Sequence, residues 1–216
     1  MENTLSFKKQ GYWLFSSAII IGVLFLLLPH IISNIGVLEF IGAFFNALCM
    51  GVIAFIILKA EFLDWFKHFS FKWILIGAPA LIIISSIFNI AWAYFAGSTT
   101  ENGINSVLTW SYVFTSIPFM LLGEELLSIS LLYAAWKKWN WKFWQASLLC
   151  SLLFATWHLT SYDFNFLQCI ITLAPARLIL NYLFKKTNSI WVTFIVHFYF
   201  CISSHFYPIL LKIKKR

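Results

Sequence analysis

The sequence predicts an all-α fold, a polytopic transmembrane helix bundle of about seven membrane helices. Three observations predict it. The 216 residues are 61% hydrophobic and only 11% charged, where soluble domains carry about 25% charged residues. Apolar runs recur at the roughly 20-residue length that spans a bilayer. The lysines cluster in the short segments between alternate runs, the distribution that controls membrane topology. The net charge of +7 therefore reflects orientation and lipid contact rather than a nucleic-acid partner. No stretch outside the apolar runs is long enough to fold alone, so residues 1–216 read as a single integral membrane domain.

The runs lie at about 12–33, 37–59, 73–97, 107–136, 143–161, 165–184 and 190–211. The first follows Lys8 and Lys9. It exceeds the ~7–15 apolar residues of a cleavable signal and lacks a small-residue cleavage pattern, so it reads as a membrane helix. Between runs two and three, Glu61, Asp64, Lys67 and His68 alternate with Phe62, Trp65, Phe66 and Phe69. That mixture suits an interfacial stretch, at its simplest a solvated loop at the membrane surface. Run four is long enough to require a tilt, a kink or a part outside the membrane core, and Pro118 within it bends a helix axis.

Charge sets the orientation. Lys8 and Lys9, then Lys59, Lys67 and Lys72, then Lys137, Lys138 and Lys142, then Lys185 and Lys186 mark one side. The other connections hold Glu39, Glu101 and Asp163 but no Lys or Arg. The expectation is a multi-pass cell-membrane protein with a cytoplasmic N-terminus. The tail Lys212, Lys214, Lys215 and Arg216 disagrees with seven full crossings. Either run seven bends at Pro208 short of crossing, or the count is off by one. Cys49, Cys150, Cys169 and Cys201 all sit in apolar runs without a C-x-x-C spacing, and buried thiols of this kind behave as small hydrophobes.

Run four carries the feature around which the chain is organised, Gly123-Glu124-Glu125. A charge near a bilayer centre costs about 2.5–3.5 kcal/mol on insertion scales, so two adjacent carboxylates need partners or a chemical task. The other ionisable groups within runs are His30, His158, Arg177, His197 and His205. Counted at 1.5 Å per residue from the lysine-bearing ends, Glu124 lies about 18 Å deep, His158 about 23 Å and His197 about 11 Å. Tilts and boundary shifts bring these within reach of one another. A carboxylate and two imidazoles on three helices form a set that activates water, by coordinating a metal or by general-base catalysis. His30, beside Pro29 at the end of run one, reads as an interfacial side chain.

Glu124-Glu125, then Phe154-x-x-x-His158, then His197 resemble the three motifs of the CAAX protease and bacteriocin-processing family of intramembrane proteases. The family pattern is Glu-Glu-x-x-x-Arg, Phe-x-x-x-His and His-x-x-x-Asn/Asp, each on its own helix. The resemblance covers roughly residues 107–205 and places a peptidase core at about 107–211. It implies a membrane metalloendopeptidase acting on hydrophobic peptides or membrane-protein substrates, with a role in bacteriocin processing or self-immunity. It also implies zinc held by Glu124, His158 and His197, with a metal-independent glutamate mechanism as the alternative. Glu124 would be the general base, Glu125 would orient or pair, and the histidines would bind metal or polarise water and the oxyanion.

Two departures matter. The motif Arg falls at Ile129 and the motif Asn/Asp at Cys201. Arg177 is the one Arg inside an apolar run and is expected to pair with a glutamate in place of the missing Arg, the alternative being a side chain that snorkels to the interface. Cys201 follows His197 at i+4 and is a possible thiolate ligand, a buried core thiol being the plainer state. The competing reading is a catalytically degenerate scaffold that binds a membrane partner. A transporter or channel ranks last, because no half-chain repeat is visible.

Overall fold

A computed structural model describes residues 2–106 and 109–214, with side chains for 6–104 and 109–203. The regular structure among these residues is helical. Helices α1 (Glu2–Ile31), α2 (Ile35–Leu58), the short α3 (Ala60–Asp64) and α4 (Phe71–Ala96) precede α5 (Trp110–Thr115) and α6 (Ile117–Tyr133). Then come α7 (Phe143–Trp157), α8 (Phe166–Thr187) and α9 (Ile190–Lys214). The caps follow from residue type. Asn34, Thr109 and Asn165 each accept a bond from the backbone N–H three residues on, satisfying a donor that the first turn leaves open. Gly97 ends α4 in the left-handed region, φ 70°, which glycine adopts without a Cβ penalty.

Among the described residues, five helices are long and apolar enough to cross a membrane: α1, α2, α4, α6 with its following turn, and α8. The exposed side chains include Trp13, Phe40, Ile90 and Phe95, an apolar periphery that water would not favour and lipid does. This is a helical membrane protein. The central helix is α6: 67% of its apolar window is buried, against 17% for α4. It packs on α2, α7 and α9, while α4 packs on α8 and α9. At Gly123 the α2 backbone comes so close that a Cβ would meet Asn46 Cβ at 2.7 Å and Ala47 N at 2.8 Å. A small residue is required there for α6 to lie flush against α2.

Four expectations change. Run four is two helices: α5 ends at Ser116, and α6 restarts with Pro118 in its first turn, where the missing N–H costs nothing. Run five stops at Trp157 rather than 161, giving a 15-residue helix of about 22 Å, below the ~30 Å hydrocarbon thickness. The segment between α2 and α4 is a packed cap, not a solvated loop. Trp65 is fully buried, and Asp64 accepts a bond from Asn188 at 2.7 Å. Lys138, read as a surface topology lysine, turns inward: α6 runs into a π-helical turn, Ala134–Lys138, and Lys138 Nζ pairs with Glu61 at 2.8 Å. Helix α9 continues through residue 208; the side chains of His205 and Pro208 lie outside the described residues.

Candidate active site

Adjacent residues on an α-helix point about 100° apart, so Glu124 and Glu125 face different surroundings. The Glu124 side chain is 25% exposed and lines a cavity of about 530 Å³. The Glu125 side chain is 0% exposed. Its Oε1 accepts from Arg177 Nη1 at 2.6 Å and from His197 Nδ1 at 2.9 Å. The expected pairing of Arg177 with a glutamate is present, and the partner is Glu125. Arg177 is itself fully buried; it does not snorkel. A buried pair of this kind is held by short charge-assisted bonds, because either charge alone would be strongly disfavoured in the low-dielectric interior.

The two imidazoles come from the end of α7 and the middle of α9. His158 caps α7, and its Nδ1 donates to the Phe154 carbonyl at 2.9 Å. The Phe154 ring packs at 4.5 Å from that imidazole and 6.1 Å from His197, so the Phe of the second motif is a spacer between the two rings. With each Nδ1 engaged, each ring turns Nε2 towards Glu124. The Glu124 Oε2 distances are 3.8 Å to His158 Nε2 and 3.9 Å to His197 Nε2. Glu124, His158, Arg177, His197 and Cys201 all line the same cavity. Cys201, partly buried, interacts with His197 one turn before it.

The unequal depths counted from sequence have a structural cause. Helix α9 does not begin at the surface. Ser189 and Ile190 are fully buried, and the Ile190 N–H bonds the Trp65 carbonyl at 3.0 Å. The cap between α2 and α4 roofs the start of α9, so His197 lies deeper than residue counting gives.

Tested as a metal centre, the donors fit in kind. One carboxylate and two Nε2 atoms suit zinc, and each imidazole is anchored through Nδ1 as metal-bound histidines are. Among the described residues, no three His, Cys, Asp or Glu side chains already stand close enough to hold an ion. The 3.8 and 3.9 Å separations are about half an ångström wider than the ligand edges of a tetrahedral zinc site.

Sequence reasoning missed Asn181. It is fully buried and bonds Arg177 Nε at 2.9 Å. The signal was available, since 177 and 181 are one helical turn apart and a polar amide in an apolar run needs partners. It also missed Gln168, whose side-chain amide clasps both the N–H and the carbonyl of Thr100, at 2.9 and 2.8 Å. That clasp pins the α4–α5 connection beside the cavity, and nothing in the sequence spacing announces it.

Fold and site together define a class: helical membrane proteins with a carboxylate and two imidazoles, each from its own helix, gathered inside the bundle. The family model for Rce1-like proteins, type II CAAX prenyl endopeptidase Rce1-like, matches residues 103–202, the stretch that carries the three motifs. The matched region opens just before α5 and contains Glu124, Glu125, His158, Arg177, His197 and Cys201. No curated protein and no solved structure matches the chain. The family supports a membrane protease.

Proposed function

We propose that the protein is an intramembrane endopeptidase that cleaves hydrophobic or membrane-associated peptides with a glutamate-activated water. The supporting observation is the convergence of Glu124 Oε2 with Nε2 of both His158 and His197, at 3.8 and 3.9 Å, on the wall of one cavity. At ordinary hydrogen-bond lengths of about 2.8 Å, a single oxygen can bridge Glu124 Oε2 and either imidazole. Glu124 takes a proton from water, and the water oxygen attacks the scissile carbonyl carbon. The carbonyl π pair moves to oxygen, and a protonated His197, lying between two carboxylates, donates from Nε2 to that oxyanion. As the tetrahedral intermediate collapses, Glu124 returns its proton to the leaving amine. Glu125, held by Arg177, fixes the His197 ring through Nδ1. In the metal-dependent alternative, Glu124, His158 and His197 would instead hold a zinc ion, with Cys201 as a possible further ligand, and the ion would supply Lewis-acid polarisation in place of the His197 proton.

The cavity wall is apolar around this polar end, with Phe25, Leu81, Met120, Leu121 and Leu180 among its residues. That lining favours an apolar peptide segment, in keeping with CAAX-type substrates or with bacteriocin processing or self-immunity. The lysine bias favours a multi-pass cell-membrane protein with a cytoplasmic N-terminus. The scaffold alternative rests on the loss of the motif Arg and of the motif Asn/Asp; Arg177 supplies a guanidinium to the same acid pair from another helix, while Cys201 stands at the second position. The test is cleavage of a hydrophobic peptide library by purified wild type and Glu124→Ala at equal folding. Cleavage by wild type alone supports the peptidase. Partner binding with no cleavage by either supports the scaffold.

A further inference from the structure

We propose that Asn181 is a positioning residue for the acid pair, and that it is what allows the arginine to come from α8 instead of α6. This inference deepens the peptidase reading and rests on it for its rate readout only. Where the family carries Arg on the glutamate helix, this chain has Ile129, fully buried in an apolar cluster that includes Leu14 and Met50. An arginine on α6 would be tied to Glu125 by the helix itself, four residues away. Arg177 reaches Glu125 from a separate helix, through a long side chain with high rotamer entropy. Something must fix that side chain, and Asn181 does.

Every polar atom of the Asn181 amide is engaged. Its Oδ1 accepts from Arg177 Nε at 2.9 Å and lies 3.7 Å from the Cys150 thiol. Its Nδ2 donates to the Ser147 carbonyl at 3.2 Å, to Ser147 Oγ at 3.1 Å and to Ser151 Oγ at 3.3 Å. The Cys150 thiol in turn donates to the Ser128 carbonyl of α6 at 3.1 Å. Ser128, Ser147, Ser151, Arg177 and Asn181 are all buried. The chain of contacts runs from α7 through Asn181 and Arg177 to Glu125 and on to the His197 ring. Asn181 does not line the cavity, whereas Arg177 does, so the amide acts on the reaction only through the guanidinium. With Nε held by Asn181 and Nη1 on Glu125, the planar fork has two fixed points and its orientation is set.

The test compares Asn181→Leu, which removes the brace, with Asn181→Asp, which keeps an acceptor for Arg177 Nε and exchanges the donors to α7 for a second carboxylate oxygen. Two quantities are read: kcat and KM on a peptide that wild type cleaves, and the ¹⁵N ring signals of His197. The expected result is a fall in kcat of about 10- to 100-fold in Asn181→Leu, as for partners one shell out from a reacting group. KM should stay near the wild-type value, His197 ring signals should shift, and Asn181→Asp should recover most of the rate. Should Asn181→Leu fail to fold, Asn181→Ala removes the acceptor without added bulk and carries the same expectation. A kcat close to wild type, or a loss that Asn181→Asp does not repair and that leaves the His197 signals unmoved, overturns the proposal. If wild type itself cleaves nothing, the peptidase reading falls, and the His197 spectrum alone decides the brace.

Discussion

Arg177–Glu125 and Lys138–Glu61 both place a buried cation against a carboxylate, and residues 125 and 138 lie about 20 Å apart along the same helical segment. Lys138 is as buried as Arg177, its side chain 0% exposed. Glu61, however, remains 38% exposed. The cluster is completed by the Tyr133 hydroxyl, which donates to Glu61 at 2.7 Å, and by Gln10, which accepts from Lys138 at 2.9 Å. It ties α1, α3 and the end of α6 together. Among the described residues no imidazole joins it, and neither of its charged residues lines the large cavity. Arg177–Glu125 differs in what stands beside it: an imidazole on Glu125, and a second carboxylate, Glu124, turned into the cavity. On the proposed function, what separates the two buried charge pairs is the partly exposed acid Glu124 beside the Arg177–Glu125 pair.

That contrast can be broken at several points. The largest effect on stability is expected from Arg177→Leu, which leaves Glu125 buried without its cation. Loss of a buried partner costs about 3–5 kcal/mol, read as a lowered midpoint in denaturant unfolding; an unchanged midpoint would mean that Glu125 does not depend on the pair. His158→Ala should come next, with the effect in rate. Removing a group that polarises the reacting atoms costs about 10²–10³ in kcat, with unfolding unaffected, and a large loss of stability instead would reassign His158 to structure. Lys138→Met should destabilise by only about 1–2 kcal/mol, because Glu61 can turn to water. Cleavage by that variant should stay at the wild-type rate per folded molecule, and a selective rate loss would erase the distinction between the two clusters. The smallest effect is expected from Cys201→Ser. A thiol donates weakly and serine keeps the shape, so zinc content and cleavage should both be unchanged; loss of bound zinc would make Cys201 a ligand.

Much of this was legible in the sequence, for physical reasons that also explain the failures. Apolar runs of membrane length must become helices, since an unpaired backbone in lipid is prohibitive, and the runs are helical, although run four divides in two and run five falls short of spanning length. Charges cannot sit alone among them, which singled out Glu124, Glu125, His158, Arg177 and His197 before any contact was known. Tertiary height was not legible: residue counting places His197 about 11 Å deep because it cannot see that the Trp65 cap covers the start of α9. Lys138 reads as a topology signal because a lysine at a helix end looks alike in sequence whether it faces water or Glu61. Pro118 reads as a bend inside one helix, whereas proline fits better in a first turn, and the chain breaks just ahead of it. For Asn181 the sequence holds half of the signal, its place one turn after Arg177; the serines opposite it on α7 are not legible there.

The most direct test of the account is the cleavage rate of Glu124→Gln measured beside Lys138→Met, both in bilayers and both normalised to folded protein. The account predicts a rate loss of about 10²–10⁴-fold for Glu124→Gln with unfolding unchanged, and for Lys138→Met a stability loss with the rate retained. A Glu124→Gln protein that cleaves at the wild-type rate would contradict it.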